Sequence, residues 1–367
     1  MVLEADVDDR DWVSAPAVTM LAQMRRRGVS AGLLAAALDG GAARLRTLLE
    51  GSEPIDAATA EVLASLLGAG REFWLRRESQ FELHLDRAVQ RLTVDEGEEL
   101  LKRARLPGAS RRDAAAPRDL RLRRLLAFYC VSGIADWERR YGARRGAVVF
   151  RTSPSFAARE GPTALWLRRG EIASGLVATG SFDRGALLAS IPEVRRLSGV
   201  RQLERCLPAL RALLASCGVA LVVELPPDGC RASGAARFVE PSKAMLLLSL
   251  RHRSDDHLWF TILHELGHLV LHSDGAFVDE EGVGGDAREE EADRFAAEAI
   301  LPPTRDAELR SLPPRHRDVT RFAVSVGVAP GLIVGRLQHL GLLGRDRLNF
   351  LKRRFDAAEV ERVAAIL

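Results

Sequence analysis

The sequence predicts a mainly α protein in two parts, a helical N-terminal bundle and an α+β domain with a small sheet and C-terminal helices. The first ninety residues are short Ala/Leu-periodic stretches, typical of amphipathic helices. Two short apolar runs, 218–225 and 243–250, are bounded by Gly, Pro and Ser, as buried strands are. Helical spacing then resumes in 256–272, in 287–301 and in shorter segments to Leu367.

Turn residues and charge indicate where the chain divides. The bundle is broken at Arg27-Gly28, at 39–41 and at 51–54, each rich in turn residues. Residues 101–146 hold 13 Lys and Arg against four acidic residues, which indicates a basic helical connector. We therefore expect four segments: a helical domain at 1–92, the connector at 93–146, the α+β domain at 147–310 with its core at 215–303, and a C-terminal helical subdomain at 311–367.

Composition excludes several classes of protein. Fifty arginines and three lysines are nearly cancelled by 50 acidic residues, and the net charge of +3 excludes a global polycation. No apolar run approaches the length of a membrane span, and the opening residues are acidic, unlike a signal peptide. The sequence therefore predicts a cytoplasmic protein with no membrane partner. The four cysteines fit neither a disulfide framework nor a Cys-rich zinc site, and we expect them to be reduced.

The strongest chemical signal is His264-Glu265-Leu266-Gly267-His268, an H-E-x-x-H pattern within the predicted helix 256–272. Asp255 or Asp256 is positioned to cap this helix. Residues four apart share a helix face, so His264 and His268 can hold one divalent ion. Glu265 lies about 100° further round the axis, where it can act as general base and then general acid.

A catalytic zinc site needs a third protein ligand. Glu289, Glu290 and Glu291 follow on the predicted helix 287–301, within an acidic segment at 279–298. Of the three, only Glu289 has a carboxylate four residues on, at Asp293, so we choose Glu289 as the ligand. Asp293 is then expected to accept the second N–H of a ligand histidine. The spacing leaves Glu290 and Glu291 open as alternatives.

We expect supporting roles for several neighbouring residues. His272 lies two turns beyond His264 and cannot converge on the same ion, so we expect it to support the ligands or the fold. The strand at 243–250 is expected at a sheet edge, where a peptide could add by backbone hydrogen bonds. Because the only tyrosines lie outside the cluster, Arg251, His252 and His257 are the remaining candidates for stabilising the transition state.

These residues resemble the ImmA/IrrE family of metallo-endopeptidases. The resemblance rests on LWFTILHELGHLVLH at 258–272 followed by EEEADRFAAEAILP at 289–302, and it extends through 218–250 and 328–343. It implies a zincin-like fold with His264, His268 and Glu289 as metal ligands and Glu265 as the catalytic glutamate. Zn²⁺ is the expected ion, and Mn²⁺ or Fe²⁺ could occupy the same donors.

The N-terminal part resembles an XRE-type helix-turn-helix domain of the kind found in antitoxins. Residues 30–51 carry the resemblance, with Ala35, Leu45 and Leu48 at buried positions. The second helix begins Ala42-Ala43 where polar base-reading residues are usual. Arg44, Arg46 and Thr47 are the candidate DNA contacts, although 17–70 has no excess of basic charge. The alternative is a dimerisation or partner-docking bundle.

The resemblances together imply a zinc-dependent endopeptidase and transcriptional regulator. Its expected partner is a protein substrate, an XRE-type repressor or antitoxin, whose cleavage would control stress-response, mobile-element or toxin–antitoxin genes. DNA is a second expected partner, and a homodimer is the expected assembly. One alternative is a DNA-binding antitoxin or repressor with a metal site but no significant proteolysis. Another is a purely structural zinc site. The helix-turn-helix-like stretch at 317–340 is expected to pack on the peptidase domain.

Overall fold

The computed structural model describes residues 14–108, 115–142, 149–150, 160–272 and 285–364. The chain divides into two compact units: Met1–Arg145 with Glu160–Arg168, and Gly146–Arg159 with Arg169–Ile366. The connector predicted from charge therefore groups with the N-terminal helices. Its stretches at 109–114 and 143–146, and the acidic residues at 279–284, lie outside the described residues.

The first unit is built from helices, of which the first six follow one another through short turns. They are α1 (Pro16–Arg27), α2 (Ala31–Ala37), α3 (Gly41–Glu50), α4 (Ala57–Leu67), α5 (Arg71–Arg91), α6 (Val94–Arg103), α7 (Arg118–Tyr129), α8 (Ile134–Tyr141) and the first residues of α9 (Glu160–Gly175). Gly28 and Gly51 end α1 and α3 in the left-handed conformation, each at φ 66°, which glycine adopts without a Cβ penalty. The sequence-predicted breaks at these positions are confirmed.

The second unit combines helices with a small sheet. Its helices are α10 (Arg184–Leu197), α11 (Leu203–Ser216), α12 (Asp255–Leu271), α13 (Gly285–Ile300), α14 (Asp306–Arg310), α15 (His316–Val326), α16 (Pro330–His339) and α17 (Ala357–Ala364). Its strands are β1 (Val149–Phe150), β2 (Val219–Val223), β3 (Gly234–Glu240) and β4 (Lys243–Leu248). Short 3-10 turns lie at Pro303–Arg305 and Asn349–Leu351. The predicted mainly α fold with a small sheet is confirmed.

The four strands lie in the order β1-β3-β4-β2. β4 pairs antiparallel with β3 and parallel with β2, so it is an interior strand and every residue in it is buried. The expectation that this strand forms a sheet edge was therefore wrong, because it has partners on both sides. The sequence does not predict the second partner, β3, because its Gly-Ala-Ala-Arg start lacks the apolar run that identifies β2 and β4.

Helix α12 runs through the centre of the second unit and is buried for nearly its whole length. Ser254, not Asp255 or Asp256, is the residue that precedes the helix, so the predicted cap was wrong. Both aspartates lie in the buried first turn instead. Asp255 accepts the backbone N–H of Arg353 at 3.0 Å, and Asp256 pairs with Lys352 at 2.7 Å. The two carboxylates thus tie the start of the helix to the C-terminal segment.

The helix-turn-helix-like segment packs into the same core. The axes of α15 and α16 are bent by 109°, and Phe322, Ile333 and Leu337 belong to the hydrophobic cluster that also contains Leu263 and Leu266 of α12. Taken singly, no helix in the described ranges has both the length and the apolar character needed to cross a membrane.

Candidate metal centre

The centre is built where α12 and α13 pack against each other. Gly267 allows their close approach, because a Cβ at this position would lie 3.0 Å from the Phe295 ring and 3.4 Å from the Cα of Ala292. That contact is tighter than ordinary van der Waals packing permits. The small residue in H-E-L-G-H therefore brings the acidic face of α13 over the two histidines of α12.

Three donor atoms converge at this crossing. His264 Nε2 lies 3.1 Å from His268 Nε2 and 3.2 Å from Glu289 Oε2, and His268 Nε2 lies 3.8 Å from Glu289 Oε1. Among the residues that the structure describes, these three form the one group whose ligand atoms lie close enough together to hold an ion. Both imidazoles are buried and the carboxylate is partly exposed.

The spacing fits a bound divalent ion. Donors that surround zinc tetrahedrally at 2.0–2.1 Å lie about 3.3 Å from one another, and the three observed separations bracket that value. Two imidazole nitrogens and a carboxylate oxygen are also the donor chemistry that such ions take. The residues present therefore fit a metal of the expected kind, and the set leaves a coordination position free for water or substrate.

Asp293 holds one of the two histidines. Its Oδ1 lies 2.8 Å from His264 Nδ1, the nitrogen that points away from the cluster. Burial by itself would lower the pKa of His264, but the hydrogen bonds that its ring donates to Asp293 and Glu289 outweigh burial and raise it to about 9. Burial and the neighbouring His264 lower the pKa of His268 to about 3. One histidine is thus held by carboxylates and the other is kept neutral, the form that binds metal.

Glu265 is fully buried beside the cluster, and strand β3 begins directly against it. A Cβ at Gly234 would lie 2.9 Å from both Cγ and Oε1 of Glu265, and 2.6 Å from Cγ2 of Thr261. Only a glycine therefore allows the strand to approach α12 this closely. Sequence reasoning missed this residue, because the strand that it begins carries no recognisable strand pattern.

The remaining predicted residues near the centre lie apart from the three donors. His272 Nε2 lies 3.4 Å from the carbonyl oxygen of Arg288, and its Nδ1 lies 3.8 Å from Glu291. Glu290 and Glu291 are exposed on α13. Of the three consecutive glutamates, Glu289 is the one that faces both histidines.

The predicted DNA contacts lie on α3 of the first unit. The guanidinium group of Arg44 donates to Glu53, to the carbonyl oxygen of Pro54 and to Thr59, and its side chain is only 15% exposed. Thr47 donates to the same Glu53 carboxylate at 2.8 Å. Arg46 is exposed. Arg44 and Thr47 are therefore engaged in closing the turn between α3 and α4, and Arg46 is the candidate that faces solvent.

The crossing of two packed helices, with a His-x-x-x-His pair on one and a carboxylate on the other, is a donor arrangement typical of a metallopeptidase-type domain. Residues 228–338 match the family model of peptidase M78, described as an IrrE N-terminal-like domain. The match runs from the loop before β3 to α16, and it supports the ImmA/IrrE resemblance for that part of the chain. Comparison with curated proteins and with solved structures gives no match.

Proposed function

We propose that the protein is a zinc-dependent endopeptidase that hydrolyses a peptide bond in a regulatory protein. The observation that carries the proposal is the convergence of His264, His268 and Glu289 beside the buried carboxylate of Glu265. A site that served only to bind metal would need the three donors alone. Glu265 is a further group beside these donors, a buried acid on the helix of the two histidines, and it can accept and donate protons.

Held by His264, His268 and Glu289, a zinc ion would supply a Lewis acid for the substrate carbonyl and would favour ionisation of water. Glu265 would accept a proton from the attacking water and deliver it to the leaving amine. Asp293 would keep the imidazole of His264 oriented while this happens.

The inferred substrate is a DNA-binding repressor or antitoxin of the XRE type, whose cleavage would release stress-response, mobile-element or toxin–antitoxin genes from repression. Support for this step is the family resemblance alone. We infer that cleavage takes place in the cytoplasm, and that zinc occupies the site in preference to Mn²⁺ or Fe²⁺.

A second candidate function belongs to the first unit. Helices α2 and α3 are joined by a three-residue turn, and Leu34 and Leu45 are buried between them and the rest of the bundle, as in a helix-turn-helix. This arrangement favours a regulator that binds DNA through Arg46, as a homodimer that reads two half-sites. In that case the metal site could persist without significant proteolysis.

The test compares the wild-type protein with a Glu265→Gln variant, each co-expressed with an XRE-type repressor. The expected result is that Glu265→Gln keeps its zinc, measured by elemental analysis, and loses cleavage of the repressor. Glu290→Gln is the matched control, since Glu290 lies exposed on α13, and it should cleave as the wild type does.

Two other outcomes would decide against the proposal. If neither wild type nor Glu265→Gln cleaves the repressor and both repress the protein's own promoter equally, the DNA-binding regulator is the better account. If chelation of the metal unfolds the second unit in a melting experiment, the site is structural.

A further inference from the structure

A pocket opens at the N-terminal end of α12, apart from the three metal donors. It is a shallow depression, and the space of about 270 Å³ over its lining is largely open to solvent. The lining comes from the end of β4 and the turn after it, from the first two turns of α12, and from Ser233 and Phe355. The mechanism proposed above uses none of these residues.

The pocket lies along the helix face that carries the metal ligands. Helical geometry places His257 and Thr261, which line the pocket, within about 60° of His264 and His268 around the axis. Thr261 is one turn from Glu265, a rise of about 6 Å. A Cβ at Gly234 would meet both Thr261 and Glu265, so the inner wall of the pocket adjoins the candidate catalytic carboxylate.

The floor of the pocket is apolar and its rim is basic. Leu248, Leu250, Leu258 and Phe355 are all buried at its base. Arg251 and Arg253 lie at the rim, and within the described part of the chain neither guanidinium group has a carboxylate partner. Arg251 donates to the carbonyl oxygen of Arg231, which holds its side chain in place but leaves its charge uncompensated.

The two acidic residues that follow this rim in the sequence form no ion pair with it. Asp255 and Asp256 lie in the buried first turn of α12, where Arg353 and Lys352 engage them. The backbone that carries the rim is held in an uncommon conformation, with φ 51° at Leu250 and 48° at Arg253. A non-glycine residue in this region is costly and persists where the surrounding structure imposes it. The two arginines are therefore presented by a fixed turn.

We infer that this pocket is a substrate subsite, which takes an apolar side chain of a peptide on its floor and an acidic neighbouring residue at its rim. The inference rests on the proposed peptidase function and names its substrate class: acidic peptide segments that contain a medium-sized apolar residue within two positions of the scissile bond. The apolar floor selects the first side chain, and Arg251 and Arg253 select the second by charge.

One experiment measures cleavage preference. The zinc-loaded wild-type protein digests a proteome-derived peptide library, and mass spectrometry identifies the cleavage sites. Asp and Glu should be enriched beside Leu, Met or Phe near the scissile bond. In Arg251→Gln/Arg253→Gln the enrichment should disappear, with kcat/KM for acidic peptides falling about three- to tenfold. Arg253→Gln alone should give part of the effect, and because that side chain is exposed it spares the fold.

The matched control is Arg321→Gln, an exposed arginine on α15 that does not line the pocket. It should leave the cleavage preference unchanged. If the wild type cleaves peptides without preference for acidic residues, or if the double variant keeps that preference, the subsite is wrong and the peptidase function stands.

A second experiment measures binding without catalysis. Zinc-loaded Glu265→Gln is titrated with two fluorescent peptides, acetyl-Ala-Leu-Glu-Glu-Ala-amide and its Lys-Lys counterpart. The acidic peptide should bind more tightly, and added salt or the arginine substitutions should remove the difference. If no peptide is ever cleaved but this difference is found, the proposed function fails and the pocket remains an acidic-peptide site. Equal binding of the two peptides overturns the subsite.

Discussion

Asp293 Oδ1 lies 2.8 Å from Nδ1 of His264, on the side of the imidazole opposite the candidate metal site. The carboxylate therefore fixes which nitrogen of His264 is free to face the cluster, and it does so from a different helix. The aspartate side chain is about half exposed, so its own loss should disturb the fold little.

The first prediction concerns that contact. Asp293→Ala should weaken zinc binding about 10- to 100-fold, since the ring of His264 loses the acceptor that orients it. Competition with a chromophoric chelator measures the affinity. Glu290→Ala, on the same helix and exposed, is the control and should bind zinc as the wild type does. Equal affinity in Asp293→Ala would show that packing alone orients the histidine.

The second prediction tests the helix crossing. In Gly267→Ala the new methyl group would meet the Phe295 ring at 3.0 Å and push α13, with Glu289, away from the histidines. Alanine favours the helix by about 1 kcal/mol over glycine, which offsets the packing cost. Zinc affinity should therefore fall about tenfold while the melting temperature of the metal-free protein changes little.

A Gly32→Ala variant separates these two effects. Gly32 lies on α2, and a Cβ there meets no atom within 4 Å. Its zinc affinity should equal that of the wild type. A large drop in metal-free stability in Gly267→Ala, together with unchanged zinc affinity, would contradict the assigned role of Gly267.

The third prediction concerns the approach of β3 to Glu265. Gly234→Ala places a methyl group 2.6 Å from Thr261 Cγ2 and 2.9 Å from Glu265 Oε1, so a side chain or the strand must move. Because a displacement of about 1 Å in a catalytic group can cost about 100-fold in rate, peptidase activity should fall by one to two orders of magnitude. Zinc content should stay at the wild-type level, which distinguishes this variant from Gly267→Ala.

The fourth prediction is a pH dependence of stability. Burial, and then the nearby charge of Asp256, raise the pKa of Asp255 to about 7. Between about pH 4 and pH 7 the folded protein therefore binds more protons than the unfolded chain, so this residue makes the free energy of unfolding fall as pH rises. Asp255→Asn should remove that dependence and stabilise the protein by on the order of 2 kcal/mol at pH 8.

Urea unfolding of wild type and Asp255→Asn at pH 5 and pH 8 measures the difference. The Asn side chain keeps an oxygen that can accept the backbone N–H of Arg353. The two proteins should differ more at pH 8 than at pH 5. A variant that is less stable at both values would show that the carboxylate is needed in its charged form.

The fifth prediction separates the two arginines of α3. Arg44→Ala removes the donors to Glu53, Pro54 and Thr59 and should destabilise the turn after α3 by about 1–2 kcal/mol. Arg46→Ala should leave the turn unchanged. Hydrogen exchange of residues 41–67 measures the effect, with faster exchange expected only for Arg44→Ala. Equal exchange in both variants would return Arg44 to the set of candidate DNA contacts.

Much of the candidate metal site and of the helical first unit could be predicted from the sequence, because both depend on local patterns. The i, i+4 spacing of His264 and His268 holds on any helix, and the Glu289/Asp293 pair has the same spacing on the next one. Turn glycines predicted the breaks in the first unit, since only a few residues adopt a left-handed backbone easily. Strand β3 could not be found in this way, because Ala-Ala-Arg at its start reads as neither an apolar run nor an alternation.

The roles of individual charged residues depended on the fold. Arg44 has the residue type and helix position of a DNA contact, and the sequence does not show that Glu53 and Thr59 lie within its reach. Asp255 and Asp256 have the position of helix caps, but the C-terminal segment nearly one hundred residues away supplies their partners. Such pairings join distant parts of the chain, and short-range spacing carries no information about them.

The sequence by itself determined the two histidine donors and the acidic helix that supplies the third, because a helix converts the spacing of His264 and His268, and of Glu289 and Asp293, into shared faces. The tertiary structure decided which glutamate meets the histidines, which strand lies against Glu265, and that a basic-rimmed pocket continues the same helix face. Those features depend on how closely α12, α13 and β3 approach one another. Gly267 and Gly234 allow that approach, and its consequence can be seen only when the packed neighbours are known.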